Sequence, residues 1–284
     1  CFEGKFVFVE ASSSSQSSQY CSSTTFLSTT VQEFFQNRLL DNSELLQVWQ
    51  QQPMLWKRAV TTDSNTAQLP LFNFAHAIAG AQAGLLEKAN VANAQDAIEH
   101  GKWVSHVVSP TTADELLQSL ERGTIFFNGA GLNFPNLAHL AQHTQTLLGL
   151  PVNVNVYLTQ PKQQVSVSPH TDAQNVLVIQ CQGRKRWFVW APPAQRKVGK
   201  DPFGRGKNGD ILDQKTELSA KPLIDTWLEP GDILYVPIGY PHATSTEIEE
   251  TNDDALDEDS TNQISCHVTL GLDTYFYGLC WTTL

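Results

Sequence analysis

The chain has 284 residues, 41% of them hydrophobic and 17% charged, and a formal net charge of -11 at pH 7. No apolar run approaches the ~20 residues of a membrane-crossing helix, and the acidic balance lacks the clustered Lys and Arg that a phosphate-binding surface needs. Length and composition predict a soluble globular protein built as one large domain with an accessory region.

Much of the acidity is local. The stretch TEIEETNDDALDEDS, residues 246–260, holds eight acids and no base, and without it the charge is -11 + 8 = -3. It reads either as a solvated loop or as a lure for a basic partner. The cysteines, Cys1, Cys21, Cys181, Cys266 and Cys280, are odd in number and show no C-x-x-C. They predict neither a disulfide framework nor a thiolate zinc site, and hence a reducing, intracellular location, nuclear or cytoplasmic. The first residue is Cys1 rather than Met, so the sequence reads as a fragment from which a targeting signal would be missing.

Residues 1–30 are dominated by a Ser/Thr-rich tract and read as a tail or linker. Residues 31–150 read as an N-terminal helical and pre-barrel region. TTVQEFFQNRLL places Val31, Phe34, Phe35 and Leu39 at helical spacing behind a Thr cap. PTTADELLQSLERG predicts a helix with a capping box from Thr112 and Glu115, a stripe of Leu116, Leu117 and Leu120, and a stop at Gly123. NLAHLAQHTQTLLGL predicts a third helix that ends near Gly149.

From Pro151 the period becomes two. VNVNVYL alternates, with Val152, Val154 and Val156 on one face and Asn153, Asn155 and Tyr157 on the other. QVSVSPHTD, NVLVIQCQGRKRWFVW, LIDTWLEPGDILYVP, PHATST and NQISCHVTLGL follow as strands separated by Gly or Pro turns, with a hairpin expected around Gln182-Gly183. Short strands without βαβ alternation predict a mainly β protein, a barrel or jelly roll over 151–275, decorated by the helices ahead of it.

Within that barrel, His170 and Asp172 are two apart, so on one strand they face the same side. Such a pair arises often by chance; what gives it weight is LEPGDILYVPIGYPHAT about 70 residues on, which brings His242 to the head of another strand. Two histidines and a carboxylate form the facial triad of non-haem iron oxygenases, which leaves three adjacent coordination positions open. Lys185 falls on the face shared by Trp187 and Val189, where a cation is costly without an anion beside it. Its neighbours Arg184 and Arg186 are expected on the opposite, solvated face. His267, with Ser265 and Thr269, reads equally as a lining of the interior or a structural histidine. His76, His100, His106, His139 and His143 lack ligand-like spacing, and KVGKDPFGRGKNGD (197–210) lacks the strand-to-helix context of a phosphate loop.

VNVNVYLTQPKQQVSVSPHTDAQNVLVIQCQGRKRWFVW, LEPGDILYVPIGYPHAT and SCHVTLGLDTY closely resemble the Jumonji-C oxygenases. In particular they resemble the cupin-4 branch, which includes the ribosomal-protein histidyl and arginyl hydroxylases, and the likeness covers residues 31–275. The resemblance implies a double-stranded β-helix that uses Fe(II), 2-oxoglutarate and O2. It implies His170, Asp172 and His242 as iron ligands, Lys185 as the anchor of the far carboxylate of 2-oxoglutarate, and Tyr157 and Asn155 as further lining of that pocket. It implies hydroxylation of a basic protein, a ribosomal protein or a histone tail, with succinate and CO2 as co-products. Lysine demethylation, tRNA-base or small-molecule hydroxylation, and a binding module with an idle metal site are the alternatives. Members of the branch continue into a dimerisation region, of which 276–284 would be the start, so the oligomeric state stays open.

Overall fold

The computed structural model describes residues 44–57, 71–93, 105–192, 218, 220–247 and 263–274. The Ser/Thr-rich tail, the helix expected over 29–40, the Gly-rich stretch 197–210 and the acidic residues 248–259 lie outside them.

Four α-helices are described: α1 (Glu44–Val48), α2 (Phe74–Gln82), α3 (Ala113–Glu121) and α4 (Pro135–Leu148). Helix α3 starts as its sequence directs, with Thr112 Oγ1 accepting from Glu115 N–H at 3.2 Å. The reciprocal half of the box shifts by one residue, because Glu115 Oε2 accepts from both the N–H and the hydroxyl of Thr111, at 2.7 and 2.9 Å. Leu116 and Leu120 are buried, while Leu117 turns out to solvent. Helix α4 ends where Gly149 adopts φ 66°, the left-handed conformation in which its N–H closes onto the Gln145 carbonyl.

Among the described residues, twelve strands form two sheets, and every pairing is antiparallel. They are β1 (Met54–Trp56), β2 (Ala89–Ala92), β3 (Ser105–Val108), β4 (Thr124–Phe127), β5 (Val152–Thr159) and β6 (Val167–His170). Then follow β7 (Asn175–Gln182), β8 (Lys185–Val189), β9 (Ile224–Leu228), β10 (Ile233–Val236), β11 (His242–Ser245) and β12 (Ser265–Leu272). One sheet runs β1-β10-β7-β12-β5-β4-β2-β3 and the other β6-β11-β8-β9. From β5 to β12 the chain passes repeatedly between the sheets, the winding of a double-stranded β-helix. Strands β1 to β4, from the stretch before Pro151, extend the larger sheet at both edges. The apolar TIFF of β4 is buried throughout, and periodicity alone cannot tell such a run from a buried helix segment.

The expected hairpin at Gln182-Gly183 is not formed. Strand β7 pairs with β10 and β12, whereas β8 pairs with β11 and β9 in the other sheet. Gly183, at φ 57°, is the corner between sheets, and a Cβ there would stand 2.8 Å from the Ile264 carbonyl oxygen.

Alternation sorts the side chains into two cores. Leu177, Ile179, Val268, Leu270 and Tyr235 face the helices in one cluster, and Val176, Val178, Trp187, Val189, Leu234 and Val236 fill the space between the sheets. Each fully buried aliphatic side chain contributes about 1.5–3 kcal/mol of transfer free energy. With both of its faces covered, β12 is buried from Ser265 to Leu272.

Candidate metal centre

Strands β6 and β11 are neighbours, and their register sets His242 directly across from His170. Each imidazole is fixed in the same way: His170 Nδ1 lies 2.8 Å from the Ser168 carbonyl and His242 Nδ1 lies 3.0 Å from the Tyr240 carbonyl. A carbonyl oxygen only accepts, so the proton sits on Nδ1 and the Nε2 lone pair is left for a cation. Strand β6 ends at His170, so Asp172 occupies the loop beyond it rather than the strand itself. Its carbonyl accepts from Gly239 N–H at 3.0 Å, which holds that loop against the one leading to His242.

Asp172 Oδ2 is 3.5 Å from His242 Nε2 and 3.9 Å from His170 Nε2. The three candidate ligand atoms lie within 4.8 Å of one another. Ligand bonds of about 2.1 Å on one octahedral face separate the donors by roughly 3 Å. A small inward movement of these side chains therefore completes the geometry, and two neutral imidazoles with one carboxylate are the donor set that suits Fe(II).

The cavity beside these groups is walled by rings. Phe126 stacks on Tyr157 at 5.7 Å, Tyr157 on His267 at 4.8 Å with 6° between planes, and Trp187 meets His267 edge-on at 5.5 Å. Trp187 then stacks at 5.9 Å on His242. Tyr157, Trp187, His267 and Thr269 thus line the space that the candidate ligands face. Asn155, expected to line it with Tyr157, does not reach it. Its Oδ1 is occupied instead, accepting from Gly129 N–H at 3.1 Å and from Asn153 at 3.3 Å.

Lys185 points inward as its face requires and is 0% exposed. Its Nζ donates to Thr159 Oγ1 at 2.8 Å, and Thr159 in turn shares a hydrogen with Thr124 at 3.0 Å. Burial lowers its pKa to about 7, with the Cys266 thiol opposing. The sequence's one signal for Thr159 is that it follows Tyr157 by two residues on the same strand and so shares its face. Arg184 and Arg186 face out, over the Trp227 ring at 4.2 Å and the Phe188 ring at 4.9 Å.

Residues 131–255 match the family model of the JmjC domain. The matched stretch contains His170, Asp172 and His242. A "Bifunctional lysine-specific demethylase and histidyl-hydroxylase NO66" of Drosophila mojavensis is 38% identical over 138 residues, 49% of this chain and 13% of that protein. The namesake from Drosophila melanogaster is 40% identical over 121 residues, 43% of this chain and 15% of its own length. The chain therefore matches only a small part of those relatives. Among solved structures, Escherichia coli YcfD superimposes with a TM-score of 0.56 at 21% identity, covering 82% of this chain and 53% of YcfD. YcfD described as a ribosomal oxygenase in complex with cobalt and 2-oxoglutarate gives a TM-score of 0.52, at 21% identity and with 82% and 51% covered. These likenesses establish the shared fold. Among the described residues, no helix is long and apolar enough to cross a membrane.

Proposed function

We propose that this chain belongs to the JmjC family and is the core of an Fe(II)- and 2-oxoglutarate-dependent oxygenase that hydroxylates a side chain of a basic protein, a ribosomal protein foremost. The observation that carries the reading is that one β-helix interior holds a 2-His-1-carboxylate donor set together with a fully buried lysine. His170, Asp172 and His242 would hold the iron. When bound, iron and 2-oxoglutarate supply the oxygen activation that ends in succinate, CO2 and a hydroxylated C–H position.

The chain's own residues do the rest. Lys185 lies on β8 four residues from Val189, which pairs with His242, so along the strand it is about 13 Å from the ligand pair. A short dicarboxylate and the lysine's own stem bridge that span, and Lys185 with Thr159 would take the carboxylate far from the metal. Trp187, Tyr157 and His267 exclude water along the way and orient the co-substrate. The NO66 relatives carry both hydroxylase and demethylase in their names, and YcfD is described as a ribosomal oxygenase. Histone-lysine demethylation, the same oxidation directed at an N-methyl group, is the second reading, and a nuclear or cytoplasmic location accompanies either.

The test has two parts. Anaerobic Fe(II) with 2-oxoglutarate should give a visible charge-transfer band that Asp172→Ala loses; a normal band in that variant refutes the ligand assignment. Incubation with ribosomal proteins and with histones, followed by mass spectrometry, should reveal the gain of one oxygen atom on a ribosomal protein. Loss of a methyl group from a histone instead would select the second reading.

A further inference from the structure

The loops carrying Asp172 and His242 are tied to a hydrogen-bond relay that begins outside the barrel. We propose that Tyr235 and Asn175 are a positioning pair through which the turn after α1 sets the geometry of the three-ligand centre. The inference rests on the reading of His170, Asp172 and His242 as metal ligands.

Asn175 opens β7, three residues beyond Asp172, and Ile238 lies four residues before His242. Asn175 Oδ1 accepts from Ile238 N–H at 3.2 Å. With Gly239 N–H on the Asp172 carbonyl, this latches one ligand-bearing loop onto the other at two points. A second donor converges on the same oxygen, because Tyr235 Oη donates to Asn175 Oδ1 at 2.8 Å. That phenol accepts in turn from Gln50 N–H at 3.0 Å, so its single hydrogen is committed to Asn175. Tyr235 and Asn175 are both 0% exposed.

The outer end of the relay is held firmly. Trp49 stacks on the Tyr235 ring at 5.7 Å and 13°. Gln50 has φ 57°, a conformation that strains a residue with a side chain, and here it accompanies an N–H directed at Tyr235. The Tyr240 hydroxyl donates to the Gln51 carbonyl. One strained turn thus grips a tyrosine on each side of Ile238, in the segment that leads to His242. Loss of the Tyr235 hydroxyl leaves the Gln50 N–H without its acceptor and Asn175 with one donor, which frees the ligand loops to shift.

Cobalt(II) is the probe, titrated anaerobically into the full chain and followed by its visible absorption, with thermal melting measured in parallel. Tyr235→Phe keeps the ring and its stack on Trp49; Asn175→Leu keeps the volume but removes the acceptor. Both should weaken Co(II) binding roughly tenfold and alter the band shape. Asn175→Asp, which retains an acceptor oxygen, should stay close to the unaltered chain. Lys57→Met breaks the 2.7 Å ion pair to Asp232 beside β1 and β10 without touching the relay, so it should lower the melting temperature and leave Co(II) affinity and spectrum unmoved. An unchanged affinity and band in Tyr235→Phe, or an equal loss in Lys57→Met, overturns the proposal. If Asn175→Leu does not fold, Tyr235→Phe and Asn175→Asp decide. Asp172→Ala separates the two failures. Co(II) bound as before in that variant sinks the ligand assignment, whereas its loss there, with full binding in Tyr235→Phe, sinks the relay alone.

Discussion

Strand β12 of the eight-stranded sheet is buried at every position, while β8 of the four-stranded sheet alternates, with Lys185, Trp187 and Val189 inside and Arg186 and Phe188 half-buried on the outer face. Yet the thinner sheet bears His170, His242 and Lys185. The larger sheet, clamped between helices and its partner, contributes mostly apolar packing and the Tyr157–His267 wall. Stability and chemistry are thus carried by different layers, and that division can be broken one layer at a time.

The largest effect belongs to the ligand loops. Asp172→Ala or His242→Ala should reduce turnover by at least about 100-fold, since a 1 Å misplacement near the chemistry already costs that much. Metal-free melting should barely move, because neither side chain belongs to the apolar clusters. A large drop in metal-free stability would show that the thin sheet holds the fold as well.

The converse change lies in the larger sheet. Leu158 is 0% exposed and pairs with Ile125 on one side and Cys266 on the other. Leu158→Ala should cost about 2–5 kcal/mol in urea denaturation, with Co(II) affinity of the folded protein unchanged. Weakened metal binding would mean that the layers are coupled there.

Those contrasts also mark what the sequence could disclose. The facing of Lys185, Trp187 and Val189 was legible, because period two is a local property and residues of one strand obey it wherever the strand goes. So were the α4 stop at Gly149 and the pairing of His-x-Asp with a distant histidine. The partner of a strand is not local. Gln182-Gly183 has the composition of a hairpin turn, but Gly183 packs against the Ile264 carbonyl and sends β8 into the other sheet. Asn155 obeyed the alternation and still missed the cavity, because Gly129, distant in sequence, offers its Oδ1 a backbone donor. The Tyr235–Asn175 bond spans 60 residues and has no sequence signal at all.

Lys185 links the two layers, and its charge gives a sharper test. Its folded pKa of about 7 lies below its ordinary 10.5, so between these values the unfolded chain holds the extra proton. Folding is therefore favoured as pH rises through 7. The Cys266 and Cys181 thiols, which burial pushes up from their ordinary 9.0, together reverse the trend at higher pH. The metal-free protein should gain melting temperature from pH 7 to about 9, and Lys185→Met should be more stable at pH 7 and flat across that window. Affinity for 2-oxoglutarate should move oppositely and fall above pH 7, because a dicarboxylate needs the ammonium form. A parallel rise in both quantities would refute Lys185 as its anchor.

The smallest effect is expected on the outer face of β8. Arg186 Nε meets Asp225 Oδ1 at 2.8 Å and Nη2 meets Oδ2 at 3.2 Å, a bidentate pair whose side chains are 25% and 38% exposed. Water screens such a pair, so its coupling in a double-mutant cycle should be about 1 kcal/mol or less. Arg186 also lies over the Phe188 ring, so Arg186→Ala loses packing as well as charge, and Arg186→Met separates the two contributions. Arg186 pairs with Ser245 of β11, three residues beyond His242, so any transmission from the outer face would appear in Co(II) affinity. Unchanged affinity in Arg186→Met, beside the loss expected for Asp172→Ala, confines the chemistry to the inner face of the thin sheet; a shift of even threefold would make both faces part of the site.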